Sequence, residues 1–413
     1  MSNPALPLQG IRILDLSTVV AGPFGAEMLG ELGADVIRIE SPPAAGMEVP
    51  GPEEPITESD GFFYALQRNK RAICLDLKHP RGKQLFFDLV AKSDVVWDNF
   101  RPGVMARLGF TQDILTSINP GIVTCSISGY GSEGPWSRVG AYDITIQALS
   151  GVMSITGDTE PDSEPCRWGV PIGDITGSLY GVIGVLAALD ERLRTQCGQH
   201  IEISLLDAQL ALNTYRVPQA FGAGVTFAAS SPRRGGAGAV PYGPFRAGCG
   251  KWITIGVSTN FWRAFCEVIG RPALAEDARF SSLSGRQANQ SELDKLLEEV
   301  FLNRPASDWF ADLVAAKIPS GLVNDIAGAF AQPQAVAREM AITLTDLSGR
   351  KIPAAASPLR FEGEPSRPQR PPSRRGFDTR TVLDEVLGLN SSTVAELENL
   401  GVISTPAAME GRS

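Results

Sequence analysis

Short apolar runs alternate with helix-period segments through the first two hundred residues, and this alternation limits the fold more than any other feature. Residues 11–16 (Ile-Arg-Ile-Leu-Asp-Leu) form a buried-strand pattern, a helix pattern follows from about Pro23 to Leu32 and stops at Gly33, and residues 34–39 form a second strand. Strand, helix and strand in so little chain make a βαβ unit, which sets its two strands parallel. The pattern recurs. Residues 72–77 are a strand and 80–92 a helix with proline in its first turn, where the missing N–H has no partner to lose. Residues 95–97, 121–127 and 200–205 are further strands, the last leading into a helix. The expectation is a doubly wound α/β domain with a parallel sheet.

At 413 residues the chain exceeds one compact core, so a second domain is expected. The composition turns rich in Gly, Ala, Ser and Arg over 222–250, as in a linker or loop, and residues 251–328 carry a strand at 252–257 and helices at 262–269 and 292–301, a smaller α+β domain. The reading divides the chain into a large domain over 1–221, the linker, the small domain, and a segment over 329–413 that returns to complete the large domain. Within that last segment, 353–375 is too rich in Pro and Arg to form a core and should wrap over other structure, while 379–387 and 392–400 are short helices. Lys and Arg number 37 against 46 Asp and Glu, for a net charge of −9, which argues against nucleic acid or an anionic membrane as partner. No uninterrupted run of 18 apolar residues occurs and the N-terminus lacks a charged and apolar leader, so neither a membrane span nor a signal peptide is expected. Six cysteines without a C-x-x-C pair read as reduced thiols of a cytoplasmic protein, and two histidines, His79 and His200, do not make a multi-histidine metal site.

The loop after the first strand, Ser17-Thr18-Val19-Val20-Ala21-Gly22-Pro23, lacks G-x-G-x-x-G, and no P-loop occurs, so neither a dinucleotide nor a nucleoside triphosphate is expected. Cations and amides nevertheless recur at strand ends: Asn69-Lys70-Arg71, Lys78, Asn99-Phe100-Arg101-Pro102-Gly103 and Arg107. Such groups pair with phosphates, and their recurrence points to a phosphate-bearing cofactor. Gly129-Tyr130-Gly131-Ser132-Glu133-Gly134-Pro135 is flexible enough to bring backbone to a ligand or to be a plain turn. Tyr142 and Asp143 follow, and then Gly169-Val170-Pro171-Ile172-Gly173-Asp174-Ile175-Thr176-Gly177, where a carboxylate stands between glycines as a long apolar helix begins near residue 175. Asp174 is a helix cap or an unhindered nucleophile; this segment alone leaves both open.

The order L-x-G-I-R-I-L-D-L, G-A-D-V-I-R-I-E, N-K-R-A-I-C-L-D-L, D-N-F-R-P-G, G-Y-G-x-x-G-P, A-Y-D-x-x-x-Q-A-x-S-G, G-x-x-I-G-D-I-T-G, G-Q-H-I-E-I-S-L-L-D-A and P-x-R-R-G-F-D-T-R resembles the class III (family III) CoA-transferases along nearly the whole chain. The family includes formyl-CoA transferase, carnitine CoA-transferase and α-methylacyl-CoA racemase. The resemblance implies a Rossmann-like large domain, a small domain and two interlocked subunits in a homodimer. It implies coenzyme A as a substrate rather than a tightly bound cofactor, with an acyl-CoA and a small carboxylic acid as partners. It makes Asp174 the nucleophile, forming aspartyl anhydride and aspartyl-CoA thioester, with Tyr142 and Asp143 beside the reacting centre. CoA contacts fall on Val20, Ala21, Leu75, Lys78, Asn99, Phe100, Arg101 and Arg107, and Gly235, Gly236 and Gly238 stand where relatives carry a glycine-rich substrate loop.

Three departures bear on activity. The racemase branch has His-Asp where this chain has Tyr142-Asp143, so the two-base proton exchange of an acyl-CoA racemase lacks a partner. A catalytically idle acyl-CoA-binding relative is a further alternative, against which the retained Asp174 counts. The formyl-CoA transferase branch has Gln and Tyr where this chain has Val20 and Phe62, which implies a less polar pocket and oxalate as a poor acceptor. Ser41 replaces a basic residue near the adenosine phosphates, so other cations must hold them.

Overall fold

Six parallel strands carry the larger of two units: β1 (Arg12–Asp15), β2 (Asp35–Glu40), β3 (Lys70–Leu75), β4 (Val95–Asp98), β5 (Val123–Ser128) and β6 (His200–Ser204). The computed structural model describes residues 6–42, 58–157, 164–224, 238–346, 349–362, 364–366 and 370–405. The strands lie in the order β3-β2-β1-β4-β5-β6, and Ile403–Ser404 adds an antiparallel strand outside β3. Helices α1 (Ala21–Glu31), α2 (Glu58–Leu66), α3 (Pro80–Val90), α4 (Val104–Leu108), α5 (Gln112–Ile118), α6 (Asp143–Leu149), α7 (Ile172–Thr195) and α8 (Leu205–Leu212) follow the strands in turn.

Both faces of the sheet are covered, which is why its strands are apolar without alternation. On one face Leu14, Ile37, Ile73 and Val96 pack with Leu85, Phe86 and Leu89 of α3, Leu115 of α5, and Val382, Leu383, Val394 and Leu397 from the C-terminal helices Thr379–Leu387 and Ser391–Asn399. On the other, Ile13, Val95, Trp97, Cys125 and Ile127 pack with α1 and α7. Trp97 sets the spacing there. A Cβ at Gly25 of α1 would lie 2.3 Å from its indole, and one at Gly181 of α7 2.7 Å away. The glycines let both helices close on the ring, and its Nε1 donates to the Gly22 carbonyl at 2.8 Å.

The larger unit comprises Met1–Met153, Arg167–Gly222 and Gln334–Ser413; the smaller comprises Ser154–Cys166 and Ala223–Pro333. The smaller unit has an antiparallel sheet of Tyr242–Arg246, Trp252–Gly256 and Ser320–Leu322, with Phe245, Ile253, Phe265, Phe280, Leu297, Phe301 and Leu313 in its core. The Pro- and Arg-rich return segment opens with a strand, Lys351–Ala355, paired antiparallel to Ala341–Thr345. Its carbonyls are then taken by side chains of the large unit: Arg68 Nη1 donates to Ala355 O and Arg38 Nη2 to Ser373 O, each at 2.9 Å.

Three expectations are corrected. The stretch 222–250, expected to be linker or loop, carries Tyr242–Arg246 as a strand of the smaller unit's sheet. α7 begins at Ile172, three residues ahead of the expected start, because Pro171 initiates it. Its 24 residues are also long and apolar enough to cross a bilayer, which a search for uninterrupted apolar runs missed because small and polar residues are interspersed. Val182, Val185, Ala188 and Leu189 pack against the sheet, so this is a core helix in the fold.

Candidate active site

The strand order reverses at β1: the chain steps outward through β2 and β3, then returns to place β4 on the other side of β1. A crevice opens beyond the carboxyl ends of the two strands that flank such a switch. The loop after β1 and the loop after β4 meet there. Asn99 Oδ1 accepts the Thr18 N–H at 2.9 Å and its Nδ2 donates to the Thr18 carbonyl at 2.7 Å, a two-point clamp. Val19, next in the chain, holds φ +67 and is 75% exposed. A β-branched residue in the left-handed region is strained, and such strain persists only where surrounding bonds enforce it. The enforcement is visible. Asp15 Oδ1 accepts the Ser17 N–H at 2.9 Å, and its Oδ2 binds Lys70 Nζ at 2.9 Å. Lys70, 1% exposed, also donates to the Pro23 carbonyl at 2.9 Å.

Burial lowers the Lys70 pKa, and Asp15 opposes that shift. Both cations of the strand-end group Asn69-Lys70-Arg71 are therefore structural. Lys70 is consumed by Asp15, and Arg71 pairs with Asp35 and with Glu385 at 2.8 Å. Sequence reading missed this because a lysine at a strand start resembles a solvated one until its partner strand is known.

Asp174 stands in the first turn of α7 at the same edge. It is not the helix cap: Pro171 holds that position and makes no side-chain bond. The capping carboxylate comes from α6. Asp143 Oδ1 accepts the Gly173 N–H at 2.7 Å and lies 3.3 Å from the Asp174 nitrogen. These amides belong to the helix turn that has no internal acceptor. Asp143 thus frees the Asp174 carboxylate from capping duty. Ser178, fully buried, reaches the carbonyls of Asp174 (2.7 Å) and Ala21, tying the start of α7 to that of α1. Burial raises the Asp174 pKa to about 6, and the Asp143 charge adds to the rise. Near neutrality the carboxylate is ionised yet poorly solvated, a state that favours nucleophilic attack.

Of the remaining site residues, Val20 and Ala21 open α1, whose cap position Val20 supplies no side-chain bond. Lys78, Arg101 and Arg107 are exposed, and Phe100 is half-buried against the α3–α5 core. Leu75 has its side chain in that core, 1% exposed, which leaves only its backbone for a ligand. Tyr142, expected beside the reacting centre, immediately precedes α6 and is 78% exposed. Phe62 is an exposed residue of α2. Gly235 and Gly236 lie outside the described residues; Gly238 is exposed in the smaller unit. His79 Nδ1 accepts the Arg81 N–H at the start of α3, and His200 Nδ1 bonds Thr124 Oγ1 at 2.8 Å. Residues that sequence reading missed include Ser178, Gln147 and Asp98, the last accepting from Phe100 N–H at 3.0 Å and Ser126 Oγ at 2.7 Å and so bracing the loop after β4. A cavity of about 280 Å³ lies along β4–β6 beneath α4 and α5, lined by Asp98, Ser126, His200, Glu202, Met105 and Phe110; Asp174 does not line it.

Comparison with known proteins agrees with this architecture. The model of CoA-transferase family III matches residues 8–379. The succinate–glutarate CoA-transferase of Agrobacterium fabrum is 33% identical over 98% of this chain and 99% of its own length. The acetyl-CoA:oxalate CoA-transferase of Acetobacter aceti is 35% identical over 83% of this chain and 87% of its own. A CAIB/BAIF family protein from Brucella suis superposes with a TM-score of 0.80 at 32% identity, covering 92% of this chain and all of the other. With the switch-point crevice and a matching family model along nearly its full length, this chain belongs to family III of the CoA-transferases and is a CoA-transferase.

Proposed function

We propose that the enzyme transfers CoA from an acyl-CoA donor to a carboxylic acid through covalent intermediates on Asp174. An Asp174 oxygen attacks the thioester carbonyl, forming a C–O bond and breaking the C–S bond, which gives an acyl-aspartyl anhydride and CoA thiolate. The thiolate attacks the aspartyl carbonyl and releases the donor carboxylate, leaving an aspartyl-CoA thioester. The acceptor carboxylate attacks that thioester, and the thiolate then takes the acceptor acyl group and restores Asp174. Anhydride and thioester are both activated, so no metal is needed, but each oxyanion needs donors. The uncapped start of α1 at Val20 and Ala21, tied to α7 through Ser178, presents amides at this edge.

One observation carries the reading: a half-buried carboxylate raised to about 6, at the switch-point crevice, relieved of capping by Asp143. Asn99, Phe100, Arg101, Arg107 and Lys78 are the groups proposed for CoA, and the loop of Gly235, Gly236 and Gly238 for the substrate. Racemisation is disfavoured, since Tyr142 stands where the racemase branch has His, while His79 caps α3 and His200 lines the β4–β6 cavity that Asp174 does not line. The retained, poised Asp174 argues against an idle binding protein. Names of relatives favour a dicarboxylic acceptor of four or five carbons, ahead of oxalate. An interlocked homodimer would cover Leu179, Tyr180 and Ile183 of α7 and Leu210 and Leu212 of α8, all exposed here. Six described cysteines without disulfides suit a cytoplasmic enzyme.

The test is incubation with succinyl-CoA or acetyl-CoA followed by mass spectrometry of the Asp174 peptide. A CoA-sized adduct that disappears in Asp174→Ala is expected; an alanine variant that still exchanges CoA refutes the mechanism. Succinate, glutarate and oxalate offered in parallel identify the acceptor.

A further inference from the structure

We infer that Gln147 is a positioning residue for the transfer: its carboxamide ties Trp168 to Asp143, and through Asp143 it fixes the chain that carries the Asp174 carboxylate. This rests on Asp174 as nucleophile. Gln147 lies on α6, one turn after Asp143 and fully buried. Its Nε2 donates to Asp143 Oδ2 at 2.6 Å, and its Oε1 accepts the Trp168 N–H at 2.9 Å. The orientation of the amide is unambiguous, because the carboxylate only accepts and the peptide nitrogen only donates. Asp143 uses its other oxygen for Gly173 and Asp174. The result is a bracket. Both ends of the segment from Trp168 to Asp174 are held by two side chains of a single helix, spaced i and i+4 so that they share one face.

Other contacts show how little slack the bracket has. A Cβ on Gly173 would lie 2.9 Å from Asp143 Oδ1 and 3.6 Å from Gln209 Nε2. Gln209 of α8 is itself fully buried, with Oε1 accepting from Ser150 Oγ at 2.8 Å and Nε2 without a partner. Ser150 Oγ also lies 3.0 Å from the Gln147 carbonyl. So α6 and α8 meet the start of α7 through a layer of buried amides. The charged groups here are Asp143 on α6, Asp174 on α7 and Arg167, whose Nη1 lies 3.5 Å from the Trp168 carbonyl, while α8 presents the neutral Gln209. If Gln147 is lost, Asp143 loses a donor and Trp168 loses its acceptor. The turn that aims Asp174 is then held by one bond fewer at its Trp168 end and, at the other, by an Asp143 that has lost the donor orienting it. A displacement of about 1 Å at a reacting atom costs on the order of 10²-fold in rate.

The test uses Gln147→Glu and Gln147→Leu in the full-length enzyme, with kcat and KM for acyl-CoA measured from pH 5.5 to 8.5. A neutral glutamic acid reproduces both bonds: its O–H donates to Asp143 and its C=O accepts from Trp168. An ionised one donates nothing and repels Asp143. The expected result for Gln147→Glu at pH 8 is a kcat about 10²-fold below wild type, with KM nearly unchanged. The ratio to wild type should then climb at least tenfold towards pH 5.5. Gln147→Leu should be impaired at every pH. The ratio matters because protonation of Asp174 slows both enzymes alike. A pH-independent ratio for Gln147→Glu, or a leucine variant within twofold of wild-type kcat, overturns the inference. If Gln147→Leu does not fold, the Gln147→Glu ratio decides alone. Asp174→Ala in the same assay separates the two readings. Transfer surviving in that variant removes the nucleophile itself. Its loss, with the Gln147 variants unimpaired, removes only the bracket.

Discussion

Replacing Asp174 by asparagine should stabilise the protein while abolishing transfer. Folding lifts this carboxyl from the ordinary 3.8 to about 6, first by burial and then by the charge of Asp143. A rise of that size corresponds to roughly 3 kcal/mol. Part of the carboxylate still meets solvent, so ~1–2 kcal/mol is the working figure. The sign follows from linkage. The folded state binds this proton more tightly than the unfolded state, so the ionised group opposes folding above pH 6. Its penalty fades as pH falls from 6 through 3.8 and is gone only below 3.8, where both states are protonated. Asparagine keeps the shape without the charge. Its gain should therefore be fully present at pH 8 and shrink to about a third by pH 4.5. Thermal unfolding should show it as a rise of roughly 2–4 °C at pH 8 for a unit of this size. Urea unfolding of wild type and Asp174→Asn at both pH values is the assay. An asparagine variant no more stable than wild type at pH 8 refutes the reasoning, as does a gain that does not change with pH.

Transfer should show an acid limb near pH 6, since only the ionised Asp174 attacks, and Asp143→Asn should move that limb to lower pH by removing a neighbouring charge; kcat/KM against pH checks both. Lys70→Met should destabilise the large unit by about 3–5 kcal/mol, because it strands Asp15 unpaired at 0% exposure, whereas the exposed Lys78→Met should change little; urea midpoints compare them. Gly25→Ala places a methyl 2.3 Å from the Trp97 ring and should cost ~1–3 kcal/mol or more by overpacking, read as a lowered thermal midpoint.

Periodicity and local chemistry carried far in the chain. The βαβ succession needs only neighbouring residues to be recognised, so the parallel sheet of the large unit was legible, with strand bounds off by a residue or two. The ordered motifs also led to the family. The antiparallel pairing of Ile403–Ser404 with β3 was not legible, because two residues carry no period and their partner lies more than 300 positions away. The site divides in the same manner. Asp174 stood out as a carboxylate between glycines, but local reading offered it as a possible cap. The cap is Asp143, 31 residues earlier in the chain.

What the sequence by itself determined was the set of elements, the alternation that makes the sheet parallel, and the residue types available at strand ends. Only the tertiary structure decided which of them are free to act. Lys70 and Asp15 neutralise each other beneath α1, Leu75 turns into the core, and Gln147 with Asp143 holds the turn that carries Asp174. The physical reason is that a polar group's role depends on its partner, and buried polar groups find theirs across the sheet and between helices. Those partners lie tens to hundreds of residues apart, beyond the reach of any local pattern.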